Sequence, residues 1–72
     1  MAHIAIESHV SGTVWKIAAR VGDPLEAGDT VMVIESMKME IPVEAPTAGT
    51  LAKLLVAEGD AVTEGQVLGQ LG

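Results

Sequence analysis

Residues 30–43 read TVMVIESMKMEIPV, and this stretch decides the fold. Apolar and β-branched residues fill two segments, 30–35 and 39–43, which are typical of β-strands. Because so few residues separate the two segments, they can pair only as a β-hairpin, and its turn falls at Met37 and Lys38. The sequence therefore predicts a hairpin whose tip carries a lysine.

This hairpin joins the two copies of an internal repeat. Residues 4–35 align without gaps onto residues 41–72, and eight of the 32 aligned pairs are identical. A repeat of two copies is too short for a solenoid. We therefore expect a single domain over residues 1–72, in which the two half-repeats share one core around a pseudo-twofold axis.

Each half-repeat alternates short β-rich segments with turn signals. Gly-Asp pairs recur at residues 22–23 and 59–60, and no window between these turns keeps a helical period. The pattern predicts an all-β domain of about eight short strands, built as two facing sheets or a flattened barrel. Trp15 is the only aromatic residue, and we expect it in the core rather than at a partner surface.

Composition excludes several classes of function. The net charge is −6, and the few basic residues are scattered, which argues against a nucleic-acid partner. The chain has no cysteine, so it has neither disulfides nor a thiolate zinc site, and His3 and His9 have no third ligand near them. Glu58 and Asp60 lie at a turn without a nearby nucleophile, so we expect no catalytic residues and no metal.

The sequence also bears on where the protein works. Its apolar runs are too short for a transmembrane helix, and its N-terminus has neither a basic region nor a long apolar stretch. We therefore expect a cytoplasmic protein without a membrane partner. The start of the chain favours a small free-standing protein, which we expect to be a monomer in isolation.

The predicted tip has unusual chemistry for a turn. Hairpin turns favour Asn, Gly, Asp or Pro, whereas Lys38 lies here between Met37 and Met39. One interpretation places both methionines in the core and Lys38 in solvent. The other is that a partner recognises exposed methionines, since methionine is common at recognition surfaces. The position of the tip at the centre of the repeat favours recognition.

The residues 35–39, Glu-Ser-Met-Lys-Met, resemble the attachment signature of biotinyl domains, in which a lysine between two methionines is biotinylated. That family usually has Ala where Ser36 stands. The resemblance extends to the repeat, the Gly-Asp turns and the Pro-Thr-Ala-Gly stretch at 46–49. It implies a flattened barrel of two four-stranded antiparallel sheets, with Lys38 at a tight hairpin. Residues 19–22 leave no room for the protruding thumb loop of some relatives.

The resemblance also implies a function, that of a non-catalytic biotin carboxyl carrier. A lysine amine is protonated at neutral pH, so a biotin protein ligase must supply the activated acyl donor. Biotin on Lys38 would then shuttle carboxylate between a biotin carboxylase and a carboxyltransferase. The residues expected to be recognised by the ligase are Glu35, Ser36, Met37, Met39 and Glu40. Glu35 and Glu40 have a simpler interpretation as solvated strand ends.

Two other functions fit the same scaffold. A lipoyl carrier would use the same fold and lysine, but lipoyl domains usually lack methionine on both sides of the lysine, which favours biotin. An interaction module that has lost its attachment is also compatible with the sequence. The acceptor of the carboxylate is beyond what the residues indicate.

Overall fold

The computed structural model describes residues 3–72, which form eight β-strands. In chain order these are β1 (Ile4–Glu7), β2 (Gly12–Ile17), β3 (Pro24–Leu25), β4 (Thr30–Ser36), β5 (Met39–Glu44), β6 (Gly49–Leu54), β7 (Ala61–Val62) and β8 (Val67–Leu71). Over residues 3–72 no helix is long and apolar enough to cross a membrane.

The strands form two four-stranded sheets, ordered β1-β8-β6-β3 and β5-β4-β2-β7, and every pairing is antiparallel. This confirms the predicted fold class. The inward side chains of both sheets form one aliphatic core, as expected where alternate residues of a strand face the same side. Its buried members are Ile6, Val14, Ala19, Val31, Met32, Ile34, Val43, Ala45, Leu51, Val62, Leu68 and Leu71.

Equivalent hydrogen bonds join the two halves across the pseudo-twofold axis. The Gly22 N–H donates to the Leu51 carbonyl at 2.7 Å, and the Gly59 N–H donates to the Val14 carbonyl at the same distance. Both glycines have positive φ, 99° and 93°, a conformation in which side chains are strained. The turn of each half is therefore bonded to a central strand of the other half, and neither half is complete alone.

Trp15 corrects the sequence-based expectation, because it does not lie in the core. In β2, Val14 pairs with Ile34 and Lys16 pairs with Val33, so Trp15 is the extra residue of a β-bulge. Trp15 follows the buried Val14, so the in–out alternation of the strand already directs it outward, and the bulge then keeps Lys16 on the outer face as well. Val14 is buried, whereas Trp15 and Lys16 both face outward, and the indole is 50% exposed. The prediction of a core tryptophan is wrong.

Gly12 of β2 marks a close approach to the strand that leads into the hairpin. A Cβ at Gly12 would overlap the Glu35 carbonyl oxygen and lie 2.9 Å from the Ile34 Cγ2, whereas at Gly49, its repeat mate, the nearest atom is Leu71 Cβ at 3.4 Å. We expect Gly12→Ala to destabilise the fold by about 1–3 kcal/mol through overpacking, and Gly49→Ala to be nearly neutral. Urea unfolding measures the free energy of unfolding of both variants, and an equal loss of stability in the two would contradict this prediction.

Candidate functional site

The tip of the β4–β5 hairpin is a two-residue turn. Ser36 pairs with Met39, which leaves only Met37 and Lys38 in the loop, as predicted. Both loop residues have positive φ, 52° and 66°, which is the signature of a type I′ turn. Asn and Gly usually occupy these positions, and a side chain in this conformation costs on the order of 1 kcal/mol per residue. The turn therefore contains two residues whose conformational preferences do not match its backbone.

The two methionines of the tip project into solvent. Met37 is 92% exposed and Met39 is 64% exposed, and Lys38 between them is exposed as well. Met32, which lies farther from the tip on β4, is fully buried in the core. The interpretation that placed Met37 and Met39 in the core is therefore wrong. The hairpin offers a primary amine flanked by two flexible, polarizable thioethers.

Two hydroxyl groups tie the hairpin to neighbouring segments. The Ser36 Oγ donates to the Ser11 carbonyl at 2.8 Å, and the Ser11 Oγ accepts from the Glu64 N–H at 3.0 Å. The hairpin is thus connected to the segment between β1 and β2 and, through it, to the segment between β7 and β8. Sequence reasoning missed Ser11. The available signal was its repeat mate, Ala48, which has no hydroxyl.

We expect Ser36→Ala to loosen the tip without unfolding the domain. It removes one hydrogen bond, worth about 0.5–1.5 kcal/mol, from a turn with an unfavourable backbone. Amide hydrogen exchange at Met37–Met39 should then accelerate several-fold. Ser11→Ala is the matched control, because it keeps the carbonyl that Ser36 binds. Equal acceleration in both variants would show that the Ser36 hydroxyl has no special part.

Two carboxylates border the tip on the outer face of the sheet. Glu35 and Glu40 are directly opposite each other in the β4–β5 ladder, and both are exposed. Like charges in this arrangement repel, so the pair does not stabilise the hairpin. The hairpin brings together all the residues that the sequence singled out around Lys38. Within residues 3–72, no three metal-ligating side chains come together.

The arrangement limits what the site can do chemically. Among the described residues, the tip has an amine on a turn in solvent and an adjacent acidic pair, without a nucleophile held by a base. The paired strands hold that amine at an exposed end of the domain, where a second protein can reach it. The site is thus suited to being modified by another enzyme and to carrying the attached group.

Comparison with known proteins adds three findings. Residues 4–71 match the family described as "Biotin-requiring enzyme". The chain is 40% identical over 68 residues to the "Biotin/lipoyl attachment protein" of Bacillus subtilis (strain 168), covering 94% of this chain and 93% of that protein. It is also 42% identical over 53 residues to the "Dihydrolipoyllysine-residue acetyltransferase component of acetoin cleaving system" of the same organism, covering 74% of this chain and 13% of that protein.

The solved structures agree with the fold. The crystal structure of Kluyveromyces lactis urea carboxylase matches 100% of this chain with a TM-score of 0.95 and 38% sequence identity. Only 6% of that chain is covered. The present chain thus has the length of the Bacillus subtilis attachment protein, and it is similar to one small part of a much larger carboxylase.

Proposed function

Because this chain belongs to the biotin/lipoyl attachment family, we propose that it is a biotin carboxyl carrier in which Lys38 is biotinylated by a biotin protein ligase. The observation that carries the proposal is the geometry of the tip. Lys38 lies in a two-residue turn between two exposed methionines, the arrangement that favours biotin over lipoate. The chain itself is then non-catalytic.

The residues of the tip fit a covalently attached acyl group. The Lys38 amine is exposed and can form an amide with the biotin carboxyl group, releasing AMP from the acyl-adenylate, while its proton passes to a base of the ligase. The amide removes the positive charge next to Glu35 and Glu40.

The domain contributes position rather than chemistry. When attached, biotin would carry carboxylate from a biotin carboxylase to a carboxyltransferase. The lysine stem tethers it, and a short flexible tether raises the effective concentration at each partner site to roughly millimolar. The Ser36–Ser11 hydrogen bond at 2.8 Å fixes the anchor of that tether to the body of the domain.

A lipoyl carrier is the second candidate. The similarity to a component named for a dihydrolipoyllysine residue supports it, and the name of the Bacillus subtilis relative includes both groups. The two candidates share the fold and the lysine, so at the attachment step they differ in which ligase accepts the tip, and afterwards in the enzymes that the attached group serves. Met37 and Met39 favour the biotin ligase.

Intact-mass analysis after co-expression tests the proposal. The chain is expressed with a biotin protein ligase and, separately, with a lipoate ligase, each supplied with its own cofactor. We expect a single biotinyl increment in the first culture and none in the second. A lipoyl increment would make the protein a lipoyl carrier, and no increment in either culture would leave an interaction module.

A further inference from the structure

The sheet that carries Lys38 has an apolar cluster on its outer face. In the row next to the acidic pair, Lys16 of β2, Val33 of β4 and Pro42 of β5 are in register. Val33 lies between the buried Met32 and Ile34, so this row faces outward, and Lys16 and Pro42 are exposed. The bulge adds Trp15 to the same face, with its indole half-exposed. Three apolar side chains thus lie on one open surface.

The pseudo-twofold axis provides an internal comparison for that surface. The equivalent row of the other sheet consists of Lys53, Gln70 and Ala5, which are in register in the same way. The equivalent bulge residue is Ala52. The backbone is thus the same in both sheets, but the mates of Trp15, Val33 and Pro42 are small or polar. The fold therefore does not require apolar side chains at these positions. Their occurrence on the sheet that carries Lys38 indicates a role other than folding.

The apolar row is continuous with the Lys38 site. Glu35 and Glu40 lie on the same face, two residues nearer the tip than Val33 and Pro42. At about 3.3 Å per residue, Val33 is about 10 Å along β4 from Ser36, the last residue before the turn. A standard protein interface buries about 800 Å² on each partner, which a two-residue tip cannot supply. A partner that grips the tip must therefore also cover part of the domain body.

We propose that this docking face, formed by Trp15, Val33, Pro42, Glu35 and Glu40, binds the biotin protein ligase that modifies Lys38. The inference rests on the proposed function. The ligase surface that fits it has an apolar pocket for the indole, bordered by basic side chains opposite Glu35 and Glu40. Tryptophan in such a pocket is a common interface anchor, and the charge of −6 assists encounter with a basic partner.

The reach of the lysine points to the ligase rather than to the enzymes that receive the loaded arm. Before attachment, the amine extends from the backbone only by its own four-carbon stem. The ligase must therefore bring its active site, and the protein around it, against the hairpin and the adjoining sheet. After attachment, the longer arm lets the later partners act at a greater distance from the domain.

The repeat supplies the variants that test the docking face. Trp15→Ala, Val33→Gln and Pro42→Ala each install the residue that the other sheet carries at the equivalent position. In a steady-state assay with purified biotin protein ligase, we expect Trp15→Ala to raise KM for the carrier roughly tenfold and to leave kcat within about twofold. The triple variant should raise KM further. Gln70→Ala, on the opposite face, is the control and should leave KM unchanged.

A binding measurement separates docking from acyl transfer. Unlabelled Lys38→Arg protein cannot accept biotin but keeps the docking face, so it should inhibit biotinylation of the wild type competitively. Adding Trp15→Ala to it should weaken the inhibition roughly tenfold, and inhibition should weaken with added salt if basic groups face Glu35 and Glu40. Thermal unfolding verifies that each variant is folded.

The outcomes distinguish this inference from the function on which it rests. If the wild type is biotinylated and folded Trp15→Ala has an unchanged KM and an unchanged inhibition constant, the docking face is wrong while the carrier function stands. A fall in kcat alone would also overturn it, because docking acts on KM. Failure of the wild type to accept biotin overturns the carrier function and the docking face together.

Discussion

Replacing Lys38 by Arg is expected to abolish attachment of the cofactor while leaving the fold intact. The guanidinium group keeps the positive charge of the tip but stays protonated, so it cannot act as the nucleophile. The Lys38 side chain is exposed and arginine has a similar unbranched stem, so we expect packing of the hairpin to be unchanged. Intact mass after co-expression with the ligase should show no biotinyl increment, a loss of more than about 100-fold in loading.

The other lysines provide matched controls for this result. Lys16 and Lys53 are exposed on β2 and β6, and neither lies in a turn. Lys16→Arg and Lys53→Arg should therefore accept biotin as fully as the wild type. Biotin on the Lys38→Arg protein would show that the ligase reads some other lysine and that the hairpin is not the attachment site.

Truncating Leu51 has the largest expected effect on stability. Its side chain is 0% exposed, and Leu51→Ala removes apolar contacts and leaves a cavity that costs about 2–5 kcal/mol. A domain of this size has few kcal/mol to lose, since proteins in general are stable by only about 5–15 kcal/mol. We expect the midpoint of thermal unfolding to fall by more than about 10 °C.

Leu55→Ala makes the same chemical change at the surface. Leu55 is 51% exposed, and we expect its truncation to cost less than about 1 kcal/mol. Thermal and urea unfolding of the two variants, measured side by side, separate the effect of burial from that of losing a leucine. Similar losses in both would mean that the core is not where the two sheets place it.

The regular parts of the fold follow from the sequence. The repeat predicted two matched halves, and the short spacing of two β-rich segments predicted a turn at Met37 and Lys38. Gly22 and Gly59 predicted turns because positive φ is costly for other residues, and the backbone has that conformation at both. These features depend on neighbours in the chain or on symmetry, so local patterns are sufficient to predict them.

The features that the sequence did not reveal depend on contacts between distant segments. The side of β2 that faces the core is set by its packing against other strands, and because Val14 is buried, the next residue, Trp15, faces outward. The Ser36 hydroxyl donates to the Ser11 carbonyl, which belongs to a distant segment. The presence of a serine in the sequence does not indicate which backbone group it will bind. At the tip, the sequence predicted the turn but not its cost: Met37 and Lys38 adopt a backbone that they do not favour, because the strands on either side fix it.

The pairing of β1 with β8 has a consequence for the order of folding. Ile4 pairs with Leu71, almost the whole length of the chain away, whereas the hairpin around Lys38 closes over two residues. A hairpin forms in about 1–10 μs, but pairing of distant segments has a larger entropic barrier and delays β-proteins to milliseconds or longer. In the folding chain, the lysine turn can therefore form long before β1 meets β8, and the sheet that contains β1 closes later than the hairpin.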